Sequence, residues 1–383
     1  MRHFPTLRLA LAFLSLLVAR CSFARTVDVL YVSTTHAVTT YTVDPVSGLP
    51  SEVGNPLTTP NKQFLQAVIP APDDRFIYVI SSDAEFGLSH YFINVYATDG
   101  SGVPQEPPVQ TIAVKLWGFL RFLIHPSGKY AYALETYTTG QEYASTLYLY
   151  HIDTATGMLT QDPKVQATYG PDYAYLELLV GFNGTGTRLY DDWNGYFGHG
   201  ESRDNYSYHR ISGDTGALSA DVGFFGTANY DTSSFTVFTD KLILVAVTNA
   251  VYETELYVYK NVKYPQEPLF TCTQAMLHAC YTAEEFWVSP DQQYVFLPEW
   301  QGTFTGGQTV VARIDVAGRQ LVKMWVVPGI RWLYFSPDDK LIYGAGWDQP
   351  IQVYRFNSNN GAVEPGGSIT AVTPYSVWPA VRQ

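Results

Sequence analysis

Apolar and polar positions along this chain follow a short, recurring rhythm. In FSPDDKLIYGAGWD (335–348) an apolar strand runs into a Pro-Asp-Asp-Lys turn and leaves it as a second apolar strand. Pro337 pre-sets φ at the first corner, and Asp338 and Asp339 bond readily to their own backbone. Apolar arms on both sides of such a turn predict a β-hairpin. VIPAPDDRFIYVISS (68–82), FLIHPSGKYAYALE (122–135) and WVSPDQQYVFLPEW (287–300) repeat the pattern, with LVGFNGTGTRLYDDW (179–193) and FTVFTDKLILVAV (235–247) as weaker copies. Pro72 and Pro126 lie 54 residues apart, and Pro290 and Pro337 lie 47 apart, so the repeating unit is about 50 residues long.

A second hairpin follows the first within each unit. YTVDPVSGLP (41–50), LYHIDTATGMLT (149–160), YHRISGDTGALS (208–219) and YRFNSNNGAVEP (354–365) each read strand, polar turn with Gly, strand, and FINVYATDGSGVP (92–104) is a looser copy. Two hairpins make a four-stranded antiparallel sheet, and repetition of that unit predicts an all-β propeller. Six units carry the inner hairpin. Residues 27–50 supply the outer half of a seventh, and ITAVTPYSVWPAV (369–381) is expected to return and complete it. The expectation is one seven-bladed domain over 25–383, closed by strands from both chain ends.

Composition refines this picture at the ends. Residues 1–24 combine Arg2 and Arg8, the apolar run LALAFLSLLVA (9–19) and small residues at Ser22-Phe23-Ala24, the pattern of a signal peptide. The apolar run is too short to span a bilayer, and a secreted or secretory-pathway protein is expected. Cleavage there would remove three arginines and no acid, moving the net charge from −12 to −15. Such a balance argues against nucleic acid and anionic membrane surfaces as partners. It leaves a small-molecule substrate as the expected partner, while oligomeric state is not set by the sequence. Cys272 and Cys280 form an even pair in the loop entering the sixth unit, where a local disulfide is expected. Asn183-Gly184-Thr185 and Asn205-Tyr206-Ser207 are N-glycosylation sequons.

In a propeller the loops entering the innermost strands and those leaving the second strands gather at one face, away from the Pro-Asp turns. Loops on a rigid scaffold carry most sites. Phe64, Gln66, Trp117, Arg121, Tyr175, Glu177, Tyr230, Asp231, Glu285, Trp287, Arg331 and Trp332 enter inner strands. Asp83, Glu135, Tyr137, Asp192, Trp193, Asn249, Glu299, Trp300, Trp347 and Asp348 leave second strands. Three units place a carboxylate beside a tryptophan at the same point: Asp192-Trp193, Glu299-Trp300 and Trp347-Asp348. Any one indole is as readily a packing residue between blades. Together they predict an aromatic-walled pocket for a flat, unsaturated or largely apolar molecule. In that pocket Asp348 or Glu299 would give a proton, and Arg121, Arg331 or Tyr137 would bond a carbonyl oxygen. Trp117, Trp193, Trp287, Trp300, Trp332, Trp347, Glu135 and Asp192 would line it.

Other chemistries find little support. No HExxH, His-x-His or EF-hand pattern occurs, and His199 in Gly198-His199-Gly200-Glu201 reads as a loop residue. No metal and no cofactor is expected, although a ring of acids from several blades leaves a channel Ca²⁺ open. GFNGTGT (181–187) lacks a following helix, which rules against a phosphate loop, and there is no Gly-x-Ser-x-Gly elbow.

LYVSTTHAVTTYTVDPVSGLP, HPSGKYAYAL, FSPDDKLIYGAG and the Gly-x-Leu turn after the third strand resemble the lactonase-like seven-bladed propellers. That family includes bacterial 6-phosphogluconolactonases and fungal carboxy-cis,cis-muconate cyclases. The family's Pro-His pair is replaced here by Asn61-Lys62-Gln63-Phe64-Leu65-Gln66 and Leu116-Trp117-Gly118-Phe119-Leu120-Arg121, and His125 falls at the opposite face. The leader, cysteine pair, sequons and Trp-rich loops are also similar to the fungal hetero-Diels–Alderases of tropolone-sesquiterpenoid pathways. The resemblance implies a cofactor-independent, secreted cyclase of secondary metabolism that holds reactants at near-attack geometry. Lactonase or muconate-cyclase ring chemistry is the alternative, and a non-enzymatic carbohydrate- or protein-binding glycoprotein is the third.

Overall fold

The computed structural model describes residues 28–44, 46–84, 89–139, 142–172, 177–183, 185–196, 202–220, 223–226, 234–248, 254–261, 267–273, 286–298, 308–328, 332–336, 340–345, 350–369 and 376–380, in some strands by backbone alone. They form a seven-bladed β-propeller of small antiparallel sheets, with no α-helix among them. Blade 1 is ordered Ser376–Ala380, Asp28–Ser33, Ala37–Val43, Pro50–Thr58, so its innermost strand comes from the end of the chain. Blade 2 begins with Phe64–Pro70, Phe76–Ser82 and Ser89–Ala97. Its outer strand is the first half of Gln110–Ile124, whose second half is the inner strand of blade 3. Blade 3 continues with Tyr130–Thr139 and Glu142–Ile152, whose outer edge pairs with both Leu159–Gln161 and Ala167–Asp172. Blades 4 to 7 start at Glu177–Phe182, Ser234–Phe238, Trp287–Val288 and Trp332–Phe335.

Second strands such as Phe76–Ser82, Leu242–Thr248 and Tyr294–Pro298 read as nearly unbroken apolar runs because each blade is covered on both faces. In Asp28–Ser33, Val29 and Tyr31 pack with Ile77 and Val79 of blade 2, while Leu30 and Val32 pack with Leu341 and Tyr343 of blade 7. Period-two alternation thus sends successive side chains into two different interfaces, both dry. The same division recurs between blades 2 and 3, 3 and 4, 5 and 6, and 6 and 7.

Turn chemistry fixes the inner hairpins. Backbone bonds close Ala71 N to Phe76 O (2.9 Å), His125 N to Tyr130 O (2.9 Å), Ser289 N to Tyr294 O (2.9 Å) and Ser336 N to Leu341 O (2.8 Å). Within these turns Asp74, Gly128 and Gln292 take left-handed φ values of 54°, 67° and 61°, the type I turn plus left-handed residue that suits a twisted hairpin. Blade 5 departs from the pattern. There Thr239 N bonds Leu242 O directly, and the Thr239 hydroxyl accepts the Leu242 N–H at 2.9 Å. His125 sits in the turn of blade 3, its Nε2 2.6 Å from the Gly186 carbonyl in the turn of blade 4, which places it on the turn face as expected.

Candidate functional site

At the opposite face, polar groups gather at the junction of blades 1, 2 and 3. The chain enters the inner strand of blade 2 through Pro60–Lys62, where Asn61 and Lys62 both have left-handed φ, 54° and 55°. Two consecutive non-glycine residues in that region cost energy and persist only when neighbours hold them. The holding bonds run from Lys62 N to Thr59 O (3.3 Å), Gln63 N to Pro60 O (3.1 Å) and Thr59 Oγ1 to Gln63 O (2.5 Å). The Gln63 carbonyl also faces His36 Nδ1 at 3.2 Å. A carbonyl only accepts, so Nδ1 carries the proton and Nε2 carries the lone pair. Phe64 supports the His36 ring from the side, with centroids 4.8 Å apart.

A polar network continues behind this turn into blade 2. Ser81 Oγ donates to Gln63 Oε1 at 2.7 Å and accepts from Asn94 Nδ2 at 3.0 Å, and Thr111 Oγ1 donates to Asn94 Oδ1 at 2.8 Å. Ser81 and Asn94 are fully buried. Buried polar groups joined in this way rigidify their surroundings. Gln66 Nε2 donates to Ser82 Oγ at 2.8 Å, which in turn donates to Ala84 O at 2.6 Å. Beyond Ser82, Asp83 binds His90 twice: Oδ1 takes the His90 N–H at 2.9 Å and Oδ2 lies 2.8 Å from Nδ1. The ring hydrogen bond holds the Asp83 carboxyl below the usual carboxylate range.

In blade 3 the exposed Arg121 stands between the buried Leu120 and Phe122 on the inner strand. Burial raises the Tyr91 phenol, an effect partly offset by the Arg121 charge, so the guanidinium is within electrostatic reach of blade 2. Glu135 is only 6 % exposed. Register places it opposite Leu120, whereas Arg121 is opposite Leu134, so the two point to opposite faces of the sheet. Glu135 lies on the face turned toward blade 2, and the Tyr148 phenol is raised by burial first and by the Glu135 charge second. Tyr137 is half-buried at the same end of its strand, opposite Gly118.

Phe64, Gln66 and Asp83 thus stand at one end of blade 2, while in blade 3 Tyr137 pairs with Gly118, Arg121 lies on the inner strand and Glu135 is buried on the opposite face of the sheet. Two of the acids once available for a cation ring are engaged elsewhere, Asp83 with His90 and Glu135 between blades 2 and 3. Trp287 is half-buried and packs on the cluster of Tyr294, Phe296 and Phe356 between blades 6 and 7. Its strand has only two residues. Trp117, Trp193, Trp332 and Asp192 are placed by backbone, opposite His90, Glu177, Ala345 and Leu178. Glu299, Trp300, Arg331, Trp347, Asp348 and Cys280 lie outside the described residues, and with them the expected pairing of the buried Cys272 with Cys280 and two of the three tryptophan–acid pairs. The Asn205 backbone pairs with Gly226 in blade 4. Asn183 is 7 % exposed, with its amide donating to Thr187 Oγ1 at 3.1 Å and Asp240 Oδ1 at 3.0 Å. A glycan on that nitrogen would replace one of its two hydrogens and so displace at least one of these bonds. Sequence reasoning passed over His36 and His90; the signal available was that each directly follows or faces a second-strand exit.

No protein-family model matches the chain, and no curated protein matches it. Among solved structures, a candidate 6-phosphogluconolactonase from Bacteroides uniformis superposes with a TM-score of 0.61 at 16% identity, covering 93% of this chain and 100% of that one. A prolyl endopeptidase superposes with a TM-score of 0.52 at 9% identity, covering 98% of this chain and 54% of that one. An oligogalacturonate lyase in complex with manganese reaches 0.48 at 11% identity, over 88% and 86% of the two chains. The chain is thus a seven-bladed propeller resembling, at low identity, a lactonase-like one, and enzymes stand among its structural neighbours.

Proposed function

We propose that this protein is a cofactor-independent enzyme that opens or closes a ring in a small carbonyl-bearing molecule held at the rim of blades 1 to 3. The observation that carries this reading is Arg121, an exposed guanidinium on an otherwise apolar inner strand. A planar cation so placed suits a carboxylate or a carbonyl oxygen gaining charge in the transition state. The described rim is rich in hydrogen-bonding groups, Gln66, Asp83, His90 and Tyr137 among them, which favours lactone-type ring chemistry over a purely apolar cavity. Hetero-Diels–Alder cyclisation of an unsaturated substrate is the second reading. It is favoured by the recurring tryptophan–acid pairs, one of which, Asp192-Trp193, lies in the middle of Arg188–Tyr196. The leader-like residues 1–24 support a secretory location for either activity.

The test is turnover of a lactone panel and of a conjugated enone–diene pair without added metal, in wild type and Arg121→Gln. The variant should lower kcat/KM by about 100-fold or more, the usual scale for one oxyanion-directed donor, with an unchanged melting temperature. Full turnover in the variant would remove Arg121 from the site. The class of substrate consumed decides between the two readings.

A further inference from the structure

The described histidines divide by what their two ring nitrogens do. His125 and His209 use both: His125 meets Ser127 Oγ at 2.7 Å and Gly186 O at 2.6 Å, and His209 meets Ser219 O at 2.9 Å and Asp191 Oδ2 at 3.0 Å. His151 turns Nε2 to Asp162 at 3.3 Å near the outer edge of blade 3. His36 and His90 differ from these. Each has Nδ1 engaged and shows no partner for Nε2 among the described residues, and both stand on the rim, in adjacent blades. Of the two, only His90 has its Nδ1 on a carboxylate, and its side chain is 55 % exposed, enough for an outside molecule to reach Nε2.

We propose that Asp83 and His90 form a general-base dyad in this rim, with His90 as a catalytic residue and Asp83 as its positioning residue. The carboxylate accepts from the ring and fixes the tautomer, so the lone pair stands on Nε2. Its second oxygen accepts the His90 backbone N–H, which fixes the ring relative to the strand as well. Asp83 stays ionised while it does so, since that ring bond keeps its carboxyl acidic. The Phe64–Ser82 pairing ties Asp83 to the inner strand that carries Gln66, and Trp117, opposite His90, leads through Gly118 toward Arg121. This inference rests on the ring-chemistry reading for its substrate. In lactone opening, a water O–H proton passes to His90 Nε2 as the water oxygen bonds to the acyl carbon. The ring C–O bond then breaks, and the leaving oxygen takes that proton back from the imidazolium. The product is the hydroxy acid, and the dyad returns to its starting state.

The test pairs an activity with a chemical probe that needs no substrate. Acid release from an aromatic δ-lactone and an aldonic δ-lactone is followed across pH in wild type, His90→Gln, Asp83→Asn and His36→Gln. His90→Gln should lower kcat by about 100-fold or more, the usual scale for a general base. It should also abolish the rise of rate with pH, while KM stays within about threefold. Asp83→Asn should lower kcat by about tenfold or more with the same KM. In parallel, diethyl pyrocarbonate should acylate His90 faster than His125 or His209, and Asp83→Asn should slow that reaction. Retention of half the wild-type turnover in His90→Gln would overturn the dyad, as would acylation of His90 that is indifferent to Asp83. Should wild type open neither lactone, the ring-chemistry reading fails, and the acylation rates alone then decide whether the dyad stands.

Discussion

A tyrosine hydroxyl on the second strand joins each of the first three blades to the next. Tyr31 donates to the Gly102 carbonyl at 2.7 Å, Tyr78 to Gly157 at 3.0 Å and Tyr132 to Gly216 at 2.6 Å. The donor lies on a second strand, and the acceptor is the left-handed glycine of the outer turn one blade on, with φ of 88°, 73° and 70°. Burial pushes the Tyr78 and Tyr132 phenols well up, which keeps both as protonated donors well above neutral pH. The fourth junction reverses the roles, with Tyr190 Oη accepting from Asn261 Nδ2 at 2.9 Å. At the corresponding positions of blades 5 and 6, Leu244 and Phe296 make apolar contacts instead. Removing one hydroxyl leaves a buried carbonyl without its partner, so Tyr132→Phe should cost about 1–2 kcal/mol in urea unfolding. Gly216→Ala should cost more, about 2–3 kcal/mol, because a Cβ there would lie 2.6 Å from the Tyr130 ring at a φ of +70°. Equal, negligible losses in both variants would show that the junction does not depend on this contact.

Among the elements, the strand Gln110–Ile124 is the one whose extent was not legible in advance. The hairpins were, because a polar turn between apolar arms is a local signal, strongest where Pro72, Pro126, Pro290 and Pro337 open the turn. The run from Gln110 to Ile124 contains no turn residue in a useful place, and it passes from blade 2 to blade 3 without a break. Gly118 makes that possible: it pairs with Ser89 on one side and Tyr137 on the other, and a Cβ there would fall 1.9 Å from the Thr136 carbonyl oxygen. Backbone cannot yield as a flexible side chain does, so Gly118→Ala should destabilise by more than about 4 kcal/mol. It should do so chiefly by parting blades 2 and 3, read as lost hydrogen-exchange protection in Phe76–Ser82 and Tyr130–Thr139. Protection equal to wild type in both strands would contradict the role given to this glycine. The site was legible to a similar, partial degree. Arg121 and Asp83 follow from counting strand exits, because position along a strand fixes the end of the blade. Trp287 does not, since whether an indole packs or opens depends on the length of its strand and on blade 7. The tautomer of His36 does not either, being set by a carbonyl 27 residues further along the chain.

For the whole molecule the decisive contact is the one that turns a row of sheets into a ring. Every other inner strand leads directly into the rest of its blade, but that of blade 1 arrives from the far end of the chain, pairing Val29 with Ala380, Tyr31 with Trp378 and Ser33 with Ser376. Around this seam, Leu30 and Val32 bury against Leu341, Tyr343, Ile351 and Val353. The outer rim is sealed by a glycine pair, where Gly367 N donates to Gly48 O at 3.2 Å and a Cβ on Gly367 would meet Pro50 at 2.6 Å. Removing residues 376–383 would leave that outer contact in place while stripping the inner edge of Asp28–Ser33, a row of backbone donors and acceptors beside an apolar seam. The truncated chain should therefore melt at least about 10 °C lower and associate at micromolar concentration, since a core shared around a ring is lost from both sides of the gap. A synthetic peptide spanning 371–383, added in excess, should recover much of the loss by strand addition. A scrambled peptide of the same composition should not, because the register of Val29 to Ser33 admits only one order of side chains. If the truncated chain melts within about 2 °C of the full one, closure by the C-terminal strand is incidental and the ring is held by the outer contacts alone.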